Sequence, residues 1–188
     1  MDLSHLGGTR VRGATKTPGW VCSIGVGLSG DDYDEFFAAN KGRLVNLAFG
    51  LTGDLEVARE LAQEALVRSW AHWARIRRYD DPAAWARKVT RNLAANHLRH
   101  LRLAPEAPKA RDTSPPTPDR VALVEALRRL PRPQREAVVL HDGLGFSVPE
   151  VARDLGVPEG TVKSWVSRGR AALAELLGEK EGTSHDPH

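Results

Sequence analysis

The sequence predicts an all-α protein built from two small helical domains joined by a proline-rich linker. Three observations predict it. Apolar residues recur at helical spacing behind capping residues on both sides of the chain's middle. Residues 104–118, APEAPKARDTSPPTP, hold five of the twelve prolines and almost nothing apolar. The stretch FSVPEVARDLGVPEGTVKSWVSRGR, residues 146–170, carries the punctuation of two short helices around a tight glycine turn.

Composition narrows the class first. At 188 residues the chain holds one medium domain or two small ones, and its net charge is only +3. Cys22 is the single cysteine, so no disulfide framework or cysteine-based zinc site is expected. No run approaches the apolar length that spans a bilayer. Val21 to Leu28 is too short and too glycine-rich for a signal core. A soluble, cytoplasmic protein with no membrane insertion is the expectation.

Taken in order, residues 1–29 hold six glycines and no sustained period, and read as a disordered tail. Asp31 or Asp32 is expected to cap a first helix with Phe37, Leu44, Leu47, Ala48 and Leu51 on one side, ended by Gly53. Asp54 caps a second, with Ala58, Leu61, Ala65, Leu66, Ser69 and Trp73 inward. Glu56, Glu60, Gln63, Glu64 and Arg68 point away. RIRRYDD, residues 75–81, breaks the period and reads as a basic loop. Asp81 caps the next helix and Pro82 takes its first position. At 100° per residue, Arg87, Lys88, Arg91, Arg99 and Arg102 share one arc of that helix, a basic stripe, while Trp85, Val89 and Leu93 lie on another.

After the linker, Asp119 caps a helix with Val121, Val124, Leu127 and Leu130 inward, and Pro131 ends it. Pro133 opens PQREAVVLHDG, closed by Gly143. Ser147 and Glu150 then form a capping box, and Gly156 supplies a left-handed helix end. Pro158 opens a last helix with Val162, Val166, Gly169 and Leu173 on its apolar row. Thr161, Lys163, Ser164, Ser167 and Arg168 stand on its opposite face or flanks. Such donors suit phosphates and base edges, and a helix fits the major groove. The expected organisation is a tail at 1–29, a first domain at 30–103, a linker at 104–118, a second domain at 119–178 and a tail at 179–188. A largely polyproline linker of that length spans up to roughly 45 Å.

The charges are segregated. Residues 31–64 carry eight acidic side chains against three basic, and residues 65–104 carry two acidic against nine basic. The first stretch suits a basic protein partner and the second suits phosphates.

Both domains and the linker together resemble the extracytoplasmic-function (ECF) sigma factors, the compact group of the sigma-70 family that keeps only sigma regions 2 and 4. ARELAQEALVRSW at 58–70 is similar to that family's core-binding helix, PAAWARKVTRNLAANHLRH at 82–100 to its promoter-melting and minus-10 helix, and 127–173 to its minus-35 domain. The resemblance implies that Glu60, Gln63 and Glu64 meet the largest-subunit clamp helices of RNA polymerase core, with the flap as a further contact. It implies minus-10 DNA contacts by Arg77, Arg78, Tyr79, Asp80, Arg87, Lys88, Arg91, Asn92, Asn96 and Arg99. The minus-35 contacts would be Thr161, Lys163, Ser164, Trp165, Ser167 and Arg168. It also implies an anti-sigma partner. Position 60 is Glu where the family commonly has Asp, Ala62 and Leu66 stand for Val and Phe, and Trp165 stands where an arginine is common.

Promoter opening of this kind needs no catalytic group, because binding unpaired bases shifts the melting equilibrium. No cofactor and no enzyme activity are expected. His97, His100, His141, His185 and His188 read as solvated or capping residues rather than metal ligands. The alternative reading is a stand-alone helix-turn-helix regulator, which would bind duplex DNA tightly without polymerase.

Overall fold

The computed structural model describes residues 30–103 and 118–181, and these are helical throughout their elements. The expected N-terminal tail, the linker before Pro118 and the chain beyond 181 lie outside the described residues. In order, α1 runs Gly30–Thr52, α2 Leu55–Ala71, α3 Trp73–Ile76 and α4 Pro82–Leu103. Then follow α5 Pro118–Arg129, α6 Arg132–Val138 with a π-helical turn Val139–Gly143, α7 Val148–Leu155 and α8 Glu159–Glu181.

Local chemistry accounts for the boundaries. Gly53, at φ 71°, ends α1 in the left-handed region. Asp54 caps α2, its carboxylate accepting from Glu56 N at 2.9 Å and Val57 N at 3.1 Å. Asp81 accepts from Ala84 N at 2.9 Å at the head of α4. Ser147 donates from its backbone to the Glu150 carboxylate at 2.8 Å, closing the capping box of α7. Gly156, at φ 70°, turns the chain from α7 into α8.

Several sequence expectations are corrected. Val121, expected inward, is 39% exposed, and α5 begins at Pro118, so Asp119 sits within its first turn instead of capping it. Helix α1 begins at Gly30, so Asp31 and Asp32 sit within its first turn instead of capping it. The basic loop is partly helical, with Trp73 to Ile76 forming α3. The helix entered at Arg132 widens into a π turn before Gly143. Phe37, expected inward, is 37% exposed, and Tyr33 takes the buried place, donating its hydroxyl to Leu66 O at 2.6 Å.

Helices α1, α2 and α4 pack on one another, with Leu44, Ala62, Leu66 and Ala86 buried between them. A second cluster gathers Tyr33, Trp73 and Ile76, with Trp85 half-buried against it. The largest cluster crosses between the two halves. Leu47, Leu51 and Ala94 from the first join Ala137, Val139, Leu140, Val151, Ala152, Val162 and Val166 from the second. The described halves therefore share a core instead of standing apart on a tether. Close approach requires Gly50 there, since a Cβ on it would lie 2.7 Å from Val139 Cγ1.

Candidate nucleic-acid and protein interfaces

The α7–turn–α8 unit forms because α7 buries Val151 and Ala152 while α8 buries Val162, Val166 and Gly169 on the same side. This leaves Lys163, Ser167 and Arg168 exposed on the outer face of α8, with Thr161 and Ser164 half-buried at its flanks. Trp165 is half-buried against the shared core. Its indole is therefore engaged in packing, where an arginine would have reached into solvent. Arg170 anchors α8 to the π turn, donating Nε to Asp142 Oδ2 at 3.0 Å and Nη2 to Asp142 Oδ1. That pair of hydrogen bonds holds the Asp142 carboxyl below its usual range.

On α2, Glu60, Gln63 and Glu64 are all exposed, and Arg68 Nε donates to Glu64 at 2.7 Å. Beside them lies a groove of about 860 Å³ between α1 and α2, lined by Tyr33, Phe37, Val45, Gln63, Val67 and Trp70 among others. Val67 is 56% and Trp70 50% exposed. Large apolar side chains held in water beside an acidic row make this a candidate protein-binding face. The sequence reading placed Phe37 in the core and gave Val67 and Trp70 no role. Their signal was an apolar pair, Val67 and Trp70, at i, i+3 on the side of α2 that also carries Gln63 and Glu64.

Between α3 and α4, Arg77, Arg78, Tyr79 and Asp80 are exposed, and Arg77 Nη2 lies 3.1 Å from Asp32 Oδ2. Along α4, Lys88, Asn92, Asn96 and Arg99 are exposed, with Arg99 donating to the Asn96 amide oxygen. Arg102 belongs to the same helix, and its side chain lies outside the description. The stripe is interrupted in space. Arg91 is 5% exposed, and the Arg87 side chain is 11% exposed.

Both arginines turn toward the second half. Arg87 donates Nε and Nη2 to Asp154 Oδ1 at 2.9 and 2.5 Å, and Nη2 also to Asp81 Oδ2 at 2.9 Å. Its guanidinium lies 4.8 Å from the Phe146 ring centroid. Arg91 donates Nη2 to the Asp154 carbonyl at 2.8 Å, and its Nη1 stands 3.8 Å from Glu136 Oε2. Burial pulls down the affinity of both guanidiniums for their proton. At Arg87 the hydrogen bonds and charges of Asp154 and Asp81 reverse the sign, and at Arg91 burial prevails. The same boundary is crossed by Arg128, which donates Nε and Nη2 to Thr52 O at 2.9 and 2.6 Å.

Asp154, Glu136, Phe146 and Arg128 carry no site signal in the sequence reading. One local oddity pointed to Asp154. A carboxylate in the last turn of a helix, four residues after Glu150, is disfavoured both by the helix dipole and by its like-charged neighbour. Such a residue needs a cation from elsewhere in the fold.

Among the described residues, no three His, Cys, Asp or Glu side chains gather as a metal site, and no helix is long and apolar enough to cross a membrane. The arrangement defines a two-module, all-helical protein with a helix-turn-helix face, a cationic helix and a separate acidic and apolar face. Residues 36–103 match sigma-70 region 2, and residues 120–173 match sigma-70 region 4. The chain is 38% identical over 161 residues to the ECF RNA polymerase sigma factor SigM of Mycobacterium tuberculosis, covering 80% of this chain and 81% of SigM. It is 33% identical over 158 residues to SigL of the same species, covering 78% of this chain and 87% of SigL. A solved structure of the sigma factor RpoE in complex with the anti-sigma factor NepR, from Bartonella quintana, superposes with a TM-score of 0.66 at 27% identity. The match covers 79% of this chain and 98% of that one. The chain belongs to the extracytoplasmic-function RNA polymerase sigma factors of the sigma-70 family.

Proposed function

We propose that this chain binds core RNA polymerase through α2, reads a minus-35 element with α8 and holds the opened minus-10 element with α4 and the turn before it. The observation that carries this reading is the placement of three different faces on one scaffold. The exposed Lys163, Ser167 and Arg168 of α8 suit a major groove. Tyr79, exposed between Arg78 and Asp80, offers a ring on which an extruded base stacks, while Lys88, Asn92, Asn96 and Arg99 offer donors to the strand. Glu60, Gln63, Glu64 and the apolar groove beside them form the polymerase-facing surface. Trp70 and Val67 extend that surface, and its acidic row suits a basic stretch of the partner.

An anti-sigma factor is the expected regulator, as in the relative solved with NepR. The chain works without a cofactor, as an initiation factor in the cytoplasm where polymerase and promoter DNA are found. Domain roles follow the same division, with residues 30–103 for core and minus-10 and residues 119–178 for minus-35.

Run-off transcription with core polymerase from a related bacterium, on a pool of promoter fragments, tests the reading. Protein-dependent transcripts sharing two upstream elements, lost with Glu60→Lys and weakened with Arg168→Ala, are the expected result. Tight duplex binding by the protein alone, with no transcript from any fragment, would favour the stand-alone regulator.

A further inference from the structure

The groove between α1 and α2 gathers Phe37, Val67 and Trp70, all exposed, and among the described residues it stands open. Soluble surfaces seldom collect apolar side chains of this size without something that covers them. We propose that residues 20–28 of the same chain fill this groove, laid along it as an extended segment that enters beside Tyr33 and Trp70.

The tail as a whole has no sustained period, but WVCSIGVGL at 20–28 alternates strictly. Trp20, Cys22, Ile24, Val26 and Leu28 fall on one face of an extended chain, and Val21, Ser23, Gly25 and Gly27 on the other. The segment carries no charge, and its apolar face needs an apolar surface to lie on. Its place in the chain brings it to the mouth of the groove. Leu28 stands two residues before α1 begins at Gly30, and at that end the Tyr33 and Trp70 ring centroids lie 4.8 Å apart. Length agrees as well. The α1 side of the groove, Tyr33 to Asn46, runs about 20 Å at 1.5 Å per residue. Nine residues at about 3.3 Å each reach about 30 Å, enough for the groove and a reversal at its mouth. Charge fixes the direction. With Leu28 at the Trp70 end, Trp20 comes to the other end, beside Arg59 and Ala62 of α2. Lys16, Arg12 and Arg10 precede Trp20 and arrive where Glu60 is exposed. Arg59, at that end of α2, is itself paired with Glu56. Because the segment is tethered at Gly30, its effective concentration at the groove is high even where each contact is weak. The inference stands apart from the assignment of α2 to polymerase, and any partner seated on Val67 and Trp70 must displace the segment.

Cys22, the single cysteine, lies on the docking face and reports its burial. Alkylation of the full-length chain by iodoacetamide, at fixed pH and followed by mass spectrometry, gives the rate. Cys22 should react about tenfold slower than in a free peptide of residues 17–29, since alkylation waits for the segment to lift. Val67→Gln combined with Trp70→Gln should restore the peptide rate. Both side chains are exposed, so the helical circular dichroism signal should stay at the wild-type level. Ile24→Asn should restore the rate from the other side of the contact. Leu103→Gln, a change of the same kind on exposed α4 surface, should leave Cys22 slow. A wild-type rate equal to that of the peptide would overturn the docking. Protection that survives the groove substitutions would overturn it too, because Cys22 would then lie against another surface. A rate that falls as protein concentration rises would give the groove to the segment of a second copy and overturn the docking within one chain.

Discussion

Val138 and Gly169 are locked in a close approach, with Val138 Cγ2 only 2.6 Å from where a Cβ on Gly169 would sit. The backbone oxygen of Gln134 lies 3.6 Å from the same point. This contact seats α8 on α6 and so fixes the direction in which the exposed Lys163, Ser167 and Arg168 leave the module. Gly169→Ala gains up to about 1 kcal/mol of helix propensity but incurs overpacking of about 1–3 kcal/mol, so a net loss of stability is expected in urea unfolding. Val138→Ala in the same chain should relieve the overlap and recover part of the loss.

The Tyr33 hydroxyl ties α1 to the carbonyl of Leu66. Tyr33→Phe leaves that buried carbonyl without its side-chain donor. A loss of about 1 kcal/mol is expected, read as a lower denaturant midpoint with an unchanged m-value.

Asp142 titrates with a lowered pKa because Arg170 hydrogen-bonds its charged form. A carboxyl depressed on folding contributes stability above its unfolded pKa, near 3.9, and loses it as pH falls through the folded value. Stability of the helix-turn-helix half should therefore drop below about pH 4. Asp142→Asn should be less stable than wild type at pH 7 and show a shallower acid decline, both measurable by thermal unfolding across pH.

Trp70 combines a large apolar ring with half exposure beside Gln63 and Glu64. Aromatic anchors of this kind dominate interface energies. Trp70→Ala should weaken core polymerase binding by about 2 kcal/mol, roughly thirtyfold in Kd, while the helical circular dichroism signal stays at the wild-type level. Unchanged Kd would remove the groove from the polymerase-facing surface.

Arg168, exposed on α8, should act on duplex DNA as a phosphate donor or base-edge reader. If it holds one phosphate, Arg168→Ala lowers the slope of log K on log salt by about 0.9 for a minus-35 duplex. A loss of affinity confined to one base position, with an unchanged slope, would assign it to base reading instead.

Much of this molecule was legible from local chemistry. The capping box at Ser147 and Glu150, the glycine at 156 and the row Val162, Val166, Gly169 define the helix-turn-helix because caps, turns and the 3.6-residue period act within a few residues of one another. The exposed donors of α8 and the acidic face of α2 follow from the same period. Phe37 was misplaced because periodicity marks a face without saying how wide the neighbouring helix is. Small Ala62 stands opposite, and the groove between α1 and α2 stays open beside Phe37.

The sequence by itself determined the helices, the helix-turn-helix and the segregation of charge, since each depends on backbone hydrogen bonding and side-chain direction over one or two turns. Only the tertiary structure decided which of the cations on α4 are free. Arg87 and Arg91 share an arc with Lys88, and nothing within a turn of them distinguishes their fates. The difference lies in Asp154 and Glu136, brought from 67 residues away along the chain in the case of the Arg87–Asp154 bond. Coulomb attraction and burial act through space, so a pairing set by how two modules close on each other has no local signature beyond an acid placed where its own helix disfavours it.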